Sequence, residues 1–558
     1  MDIIPGTALA VILQHWSWVL SLVSAYFYSL LLNQFSNHWL VELARTFDFA
    51  PLEQACASYH HQSGPGAAVV HTTPRLVRAL LVKYLFNLSL RQLEEMLKRD
   101  LLLRWFVGYG LFQQPPDHTT LERFEQWVIA NHPRLFFDEV LRQIDRDCPQ
   151  DHLRPQIVDS YAMLARAAKV SLIPLLRDTV RQLLRKLQQV APERHALVLS
   201  ELNLPALFGE ENEKDDYFLT SDEREARLQA VVNQALRCRR LLTEQLAASP
   251  LLPPERLALV QEWLANLSKI LGDEVTIKPL NSANPEEVEV KERPTGKKGS
   301  YRLASANDPE ATYRDHGKNK PAELAYNVSV MATPQFIREI QADTGAQPDP
   351  VALPEMLATQ KEQHHVLPPK AIGDMAYGNG KTRAQVEKVS DYQCQVVAGL
   401  PSYDKRTDRF TPYDFTLSAD GSALICPNGI TSHRRYRSPA GEGDDFRFTA
   451  ALCQGCPFWQ QCRDSKSKPD SHRMVFVSDY RPQVEAAREY NKTDDFKKDM
   501  KLRPLIERVI YNLTNIHSGR RASRTGKRNA DFQARMNATA FNLRQWMRLC
   551  QRRVLSQG

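Results

Sequence analysis

Cysteine is scarce in this chain, with nine among 558 residues, and so few cannot build a disulfide framework for so long a protein. The thiols are therefore reduced core residues or metal ligands. An apolar run of membrane length is missing as well. The nearest approach, residues 11–32, includes Trp16, Trp18, Tyr26, Phe27 and Tyr28 and lies in a stretch without formal charge between Asp2 and Glu42. Gln14, His15, Ser17, Ser21 and Ser24 break it, and no Lys or Arg precedes it as an export signal requires. It reads as an aromatic helix packed on another helix or a partner subunit, in a cytoplasmic protein with no membrane role. Strong charge bias is the third absence: 72 Lys and Arg against 65 Asp and Glu leave +7, too little over this length to announce a polyanion partner. With 43% hydrophobic and 25% charged residues, the chain falls in the soluble globular range and suits roughly two to four domains.

What charge there is lies unevenly. From Lys501 onward thirteen Lys and Arg face two acids, with Arg520, Arg521, Arg524, Lys527 and Arg528 bunched together. A solvated basic tail and a phosphate-contacting surface both fit such a segment. In residues 72–128, Leu76, Leu80, Tyr84 and Leu88 recur at helical spacing, and Ser89-Leu90-Arg91-Gln92 has the form of a capping box. Thr119-Thr120-Leu121-Glu122 repeats that form after a turn at Gln113-Gln114-Pro115-Pro116. Short helices with Arg75, Arg78, Lys83, Arg91, Lys98, Arg99 and Arg104 spread along them suit a helix-turn-helix-like DNA reader or a bundle with charged outer faces.

Residues 164–272 carry apolar stripes, one through Leu172, Leu176, Val180, Leu183 and Leu187 and another through Leu228, Val231, Val232 and Ala235, on either side of an acidic linker at 209–216. They predict a helical insertion. Strand-like runs resume at 301–304, 324–330 and 392–400, which gives a mixed sheet flanked by helices. A second insertion after Leu400 holds Cys426, Cys453, Cys456 and Cys462. The C-x₂-C pair and its two companions fit a compact zinc site, with His433 and His472 as substitute ligands, or reduced cysteines in a small core.

Three carboxylates complete the reading. Asp159 and Asp374 each close a short apolar run ahead of polar or glycine-containing sequence, where a buried strand surfaces. Glu507 sits in the amphipathic helical pattern of residues 502–510. Each alone is most simply a surface acid. Brought together, their hard oxygen atoms would hold Mg²⁺.

The neighbours of these residues carry a resemblance. Residues 73–94, 103–108 and 116–124 resemble the N-terminal domain of bacterial insertion-sequence DDE transposases. Val158-Asp159-Ser160, Asp308-Pro309-Glu310-Ala311, Tyr326-Asn327-Val328, Gly373-Asp374-Met375-Ala376-Tyr377-Gly378 and Arg503-Pro504-Leu505-Ile506-Glu507 follow that family's order of landmarks. The resemblance implies an α/β protein with an RNase H-like core, in which Asp159, Asp374 and Glu507 form the catalytic triad and bind Mg²⁺ or Mn²⁺. It implies two-metal phosphoryl transfer that cleaves element ends and joins them to target DNA. Arg503, Arg508, Arg520, Arg521, Arg524, Lys527 and Arg528 would contact phosphates. The partners are double-stranded DNA, as terminal inverted repeats and target, and a second copy of the chain in a homodimer at the nucleoid.

On this reading the chain divides into an N-terminal helical DNA-binding domain (1–148), the first core strand (149–165), the helical insertion (166–295), the RNase H-like core (296–400), the Cys-containing insertion (401–480) and a catalytic helix with a basic helical tail (481–558). Related groups place a tyrosine and a lysine where this chain has Met500 and Thr514. Two other readings stay open: a DNA-binding protein whose catalytic centre has decayed, and a stand-alone RNase H-like nuclease.

Overall fold

The computed structural model describes residues 6–62, 69–247, 254–281, 284–299, 301–314, 321–400, 409–463, 468 and 471–557. The N-terminal part is helical. After a long helix, Gly6–Gln34, come Trp39–Thr46, Ala50–Ala55, Thr73–Leu85, Leu90–Arg99, Leu101–Val107, His118–Asn131 and Leu135–Asp147. The capping box at Ser89 forms, since Ser89 Oγ accepts from the Gln92 N–H while Gln92 Oε1 accepts from the Ser89 N–H. The second box does not. Asp117 caps that helix instead, taking the Thr120 N–H at 2.7 Å and leaving Thr119 inside the first turn. The first helix is anchored by Tyr28, whose hydroxyl donates to the Tyr109 carbonyl, yet Trp16, Trp18 and Tyr26 remain more than half exposed. Among the described residues no single helix is long and apolar enough to cross a membrane; the pair Trp18–Gln34 and Trp39–Thr46, bent by 115°, meets that test only jointly.

The segment expected as a basic tail is not one. The helix Lys527–Gln557 buries Phe532, Met536, Ala540, Leu543, Trp546 and Met547 in the same core as Leu76, Leu80, Leu93, Phe106 and Phe124 of the N-terminal helices. Its apolar residues repeat at three- and four-residue steps, and Arg535 is itself buried, paired with Glu339 and Asp531.

A six-stranded mixed sheet lies against this helix. Its central strand, Glu323–Ala332, pairs antiparallel with Gln156–Leu164 on one edge and with Thr312–Arg314 and Ile337–Thr344 on the other. Beyond Gln156–Leu164 lie Lys370–Ile372 and Gln395–Val397, both parallel. The central strand is buried along nearly its whole length, as a strand covered on both faces must be. The run at 301–304 makes only an isolated bridge, Leu303 to Thr312, because the Asn307-Asp308-Pro309 turn follows too closely. The run at 392–400 contracts to Gln395–Val397, since Asp391 and Tyr392 adopt positive φ and delay the strand.

The helical insertion has its own apolar core, built on Leu176, Leu183, Val231, Val232 and Leu267. It does not stay helical to residue 295. A hairpin, Val275–Asn281 with Asn284–Glu292, closes it, because Val275 and Ile277, like Val288 and Val290, alternate with polar residues at the period of a strand. The Cys-containing insertion comprises two small three-stranded sheets around Phe415, Leu424, Phe446, Phe448 and Val475.

Candidate active site

Strand register brings two of the three acids together. Ile157 pairs with Ile372 in parallel register, and Asp159 and Asp374 each lie two residues further along their own chains. Two residues restore the same face of the sheet, and adjacent strands are about 4.8 Å apart. The aspartates thus leave the sheet as neighbours. Asp159 stays within the strand opposite Val330, whereas the chain leaves the sheet after Ile372 and coils into a tight turn, Met375–Gly378, with Asp374 as its cap accepting the Ala376 N–H at 2.8 Å. Glycine is required on both sides of that turn. A Cβ on Gly373 would meet the Tyr377 ring at 2.7 Å, and one on Gly378 would lie 1.9 Å from the Gly399 carbonyl oxygen.

The electrostatics are those of a crowded anionic pocket. Burial is the main cause that raises the Asp159 carboxyl above its ordinary value; the Ser160 N–H and the Arg503 guanidinium oppose it, while the charges of Asp374 and Asp349 add to it. Asp349, the first residue of the helix Asp349–His364, accepts hydrogen bonds from Ser160 Oγ at 2.6 Å, Arg314 at 2.7 Å and Asn327 at 2.9 Å. Tyr377 is fully buried, its phenol is disfavoured as an anion by burial and by Asp349, Asp159 and Asp374, and its hydroxyl has no hydrogen-bond partner. Asp349 carries no signal in the sequence, since an acid at a helix start reads as an ordinary N-terminal residue, and Tyr377 is marked there only as part of the motif around Asp374.

Glu507 arrives differently. Its helix is shorter than the 502–510 pattern, running Leu505–Tyr511 before a π-helical turn, Asn512–Ile516, that contains Thr514. Ile506 and Val509 are buried and Glu507 points outward, its side chain 64% exposed against 20% for Asp159. A single guanidinium links the two: Arg503 donates to Glu507 Oε1 at 3.1 Å and lies 3.6 Å from Asp159 Oδ2. No three acidic, histidine or cysteine side chains among the described residues are close enough to hold a metal ion as they stand.

The expected phosphate contacts divide. Arg520 and Arg521 are exposed and have no acidic partner among the described residues. Arg508 donates to the Pro334 carbonyl, Arg528 to the Ala130 carbonyl, and Lys527 lies 3.6 Å from Asp343. Arg524 is tied to Glu125 at 2.8 Å and Glu122 at 3.4 Å. Asp308 and Glu310 of the Asp308-Pro309-Glu310-Ala311 motif hold this segment. Asp308 accepts from the Tyr326 hydroxyl and the Gly526 N–H, and Glu310 accepts the Lys527 N–H at 2.8 Å.

Cys426, Cys453, Cys456 and Cys462 line one small cavity, approached by two turns in which Gly429 and Gly455 have positive φ. Burial raises the Cys453 and Cys462 thiols above their usual value. Although they share a cavity, these thiols do not form a ligand group as placed.

A family model described as a transposase domain matches residues 30–127. Another, described as a transposase DDE domain, matches residues 425–547, a range that holds Glu507 but neither Asp159 nor Asp374. No curated protein and no solved structure matches the chain. The two family matches, with the transposase domain ahead of the transposase DDE domain in one chain, support its assignment to the insertion-sequence DDE transposases.

Proposed function

We propose that the chain is a transposase that cleaves DNA at the ends of its element and joins them to target DNA, with Asp159, Asp374 and Glu507 as the catalytic carboxylates of an RNase H-like core. The observation that carries this is the placement of Asp159 within one strand and of Asp374 two residues past the end of the adjacent parallel strand, with Arg503 linking Asp159 to Glu507. The strand order supports it too: Ile337–Thr344, Glu323–Ala332 and Gln156–Leu164 form an antiparallel set to which Lys370–Ile372 and Gln395–Val397 add in parallel, as in an RNase H-like core, with the short Thr312–Arg314 as an extra strand.

The acids at this site suit a divalent cation. Burial, with the charges of Asp374 and Asp349 added, disfavours the Asp159 anion despite Arg503, and the buried Tyr377 hydroxyl lacks a partner at the same place. Asp159 and Asp374 would hold Mg²⁺ or Mn²⁺, with Glu507 brought in by its helix. When bound, such ions lower the pKa of an attacking water or 3′-hydroxyl and neutralise the leaving oxygen. The chain's own side chains provide the framework. Ser160, Arg314 and Asn327 fix Asp349 beside the pocket, the Asp374 cap fixes its own carboxylate, and Arg503 holds Asp159 and Glu507 on one cation.

Terminal repeats and target DNA are the proposed partners, bound by a homodimer because two element ends must be processed together. The proposed location is the cytoplasm, at the nucleoid. Purified protein with Mg²⁺ and duplexes taken from both flanks of its own gene is expected to yield free 3′ ends and joined products. Cleavage without joining would make it a nuclease, and binding without cleavage a decayed relative.

For the Cys-containing insertion, the convergence of four thiols on one cavity supports a structural zinc once those side chains turn toward one another. Metal analysis is expected to find one zinc per chain, lost in Cys453→Ser with Cys456→Ser. Zinc-free native protein would leave these thiols as core lining.

A further inference from the structure

Between the N-terminal helices and the segment that precedes the last helix lies an open cleft of about 630 Å³. Its wall includes Arg91 from one side and Arg166, Arg521 and Arg524 from the other. Arg524 and the adjoining Lys83 are balanced by Glu122 and the buried Glu125. Arg91, Arg166 and Arg521 are exposed and have no acidic partner among the described residues, so the cleft carries roughly three uncompensated positive charges.

Arg524, Asn537 and His517 also belong to the wall of the cleft, although Arg524 Nη1, Asn537 Nδ2 and His517 Nδ1 are buried behind the surface. His517 adds no charge, because burial and the nearby Arg544 and Arg548 hold its imidazole down to about 4.

The cleft is also rigidly related to the carboxylates. The Leu164 N–H donates to the Arg520 carbonyl, the Ala522 N–H to the Leu164 carbonyl, and Arg166 to the Ser523 carbonyl. Leu164 ends the strand that carries Asp159, five residues earlier. Five strand residues span roughly 17 Å, which is about five base pairs of duplex.

We infer that this cleft is a binding site for the DNA phosphodiester backbone, with Arg91, Arg166 and Arg521 neutralising phosphates about five base pairs from the bond at Asp159. The inference deepens the proposed function and rests on it. Phosphate contacts position a duplex without reading its sequence, so a random-sequence duplex serves as probe.

The affinity of the full chain for this duplex should fall with salt, and each of Arg91→Ala, Arg166→Ala and Arg521→Ala should reduce the slope of log affinity against log salt by about 0.9. The corresponding lysine variants should restore it, which separates lost charge from lost folding. Variants that bind with the wild-type slope would overturn the cleft while leaving the transposase reading intact. A wild-type chain that binds no duplex would overturn both.

Discussion

Asp159→Asn is expected to abolish cleavage and, in the metal-free protein, to raise the unfolding temperature. The first effect should be on the order of 10³-fold or more, since losing a carboxylate that holds the reacting ions removes several kcal/mol of transition-state stabilisation. The second follows from the cost of the charge at this position. Burial together with Asp374 and Asp349 raises the Asp159 carboxyl above its value in the unfolded chain, despite Arg503 and the Ser160 N–H. Between the unfolded and folded values the native state therefore binds more protons, and stability falls as pH rises through that window. Asparagine removes this dependence. The variant should thus gain most over wild type at neutral pH, and the gain should shrink as acid protonates Asp159. Thermal unfolding at a series of pH values, alongside a Mg²⁺-dependent cleavage assay, checks both halves. Asp374→Asn and Glu507→Gln should also lose cleavage. Glu507→Gln should barely change stability, because that side chain is mostly exposed. Retained cleavage in any of these variants would remove that residue from the triad.

The sequence showed the acids far better than their surroundings. The strand-end positions of Asp159 and Asp374 were legible as a local pattern, their selection came from the family resemblance, and the parallel pairing of Ile157 with Ile372 makes them neighbours. Asp349 and Tyr377 were not legible, since their proximity depends on how a crossover helix and a tight turn pack beneath the sheet. The C-terminal arginines were visible as a charge cluster, but charge alone could not reveal that Phe532, Met536, Leu543 and Trp546 bury the following helix, nor that Arg524 is consumed by internal acids. The hairpin of 275–292 was masked by the helical stripes that precede it, although its Val and Ile residues alternate at a strand period. Cysteine spacing brought four thiols to one cavity on paper and in the fold. Their rotamers, which decide ligation, have no signature in the sequence.

Glu125→Leu is expected to cost about 3–5 kcal/mol, because it strands buried positive charge. Glu125, on the helix His118–Asn131, is 1% exposed. It accepts from Lys83 Nζ at 2.5 Å, from the Tyr84 hydroxyl at 2.8 Å and from Arg524 at 2.8 Å. One carboxylate therefore ties two N-terminal helices to the arginine segment behind the proposed DNA cleft. Burial, with the charge of Arg524 added, already pulls the Lys83 ammonium below its ordinary value, against the attraction of Glu125. Without that acid the lysine has no comparable partner, whereas Arg524 keeps Glu122 at 3.4 Å. Replacing both members of the buried pair should be far milder than removing one, since apolar side chains of similar volume substitute well for a buried ion pair. Glu125→Leu combined with Lys83→Met should thus recover most of the lost unfolding temperature, and hydrogen exchange should place the damage of the single variant in residues 518–526. A double variant no more stable than Glu125→Leu would mean that Arg524, rather than Lys83, is the charge that Glu125 chiefly balances.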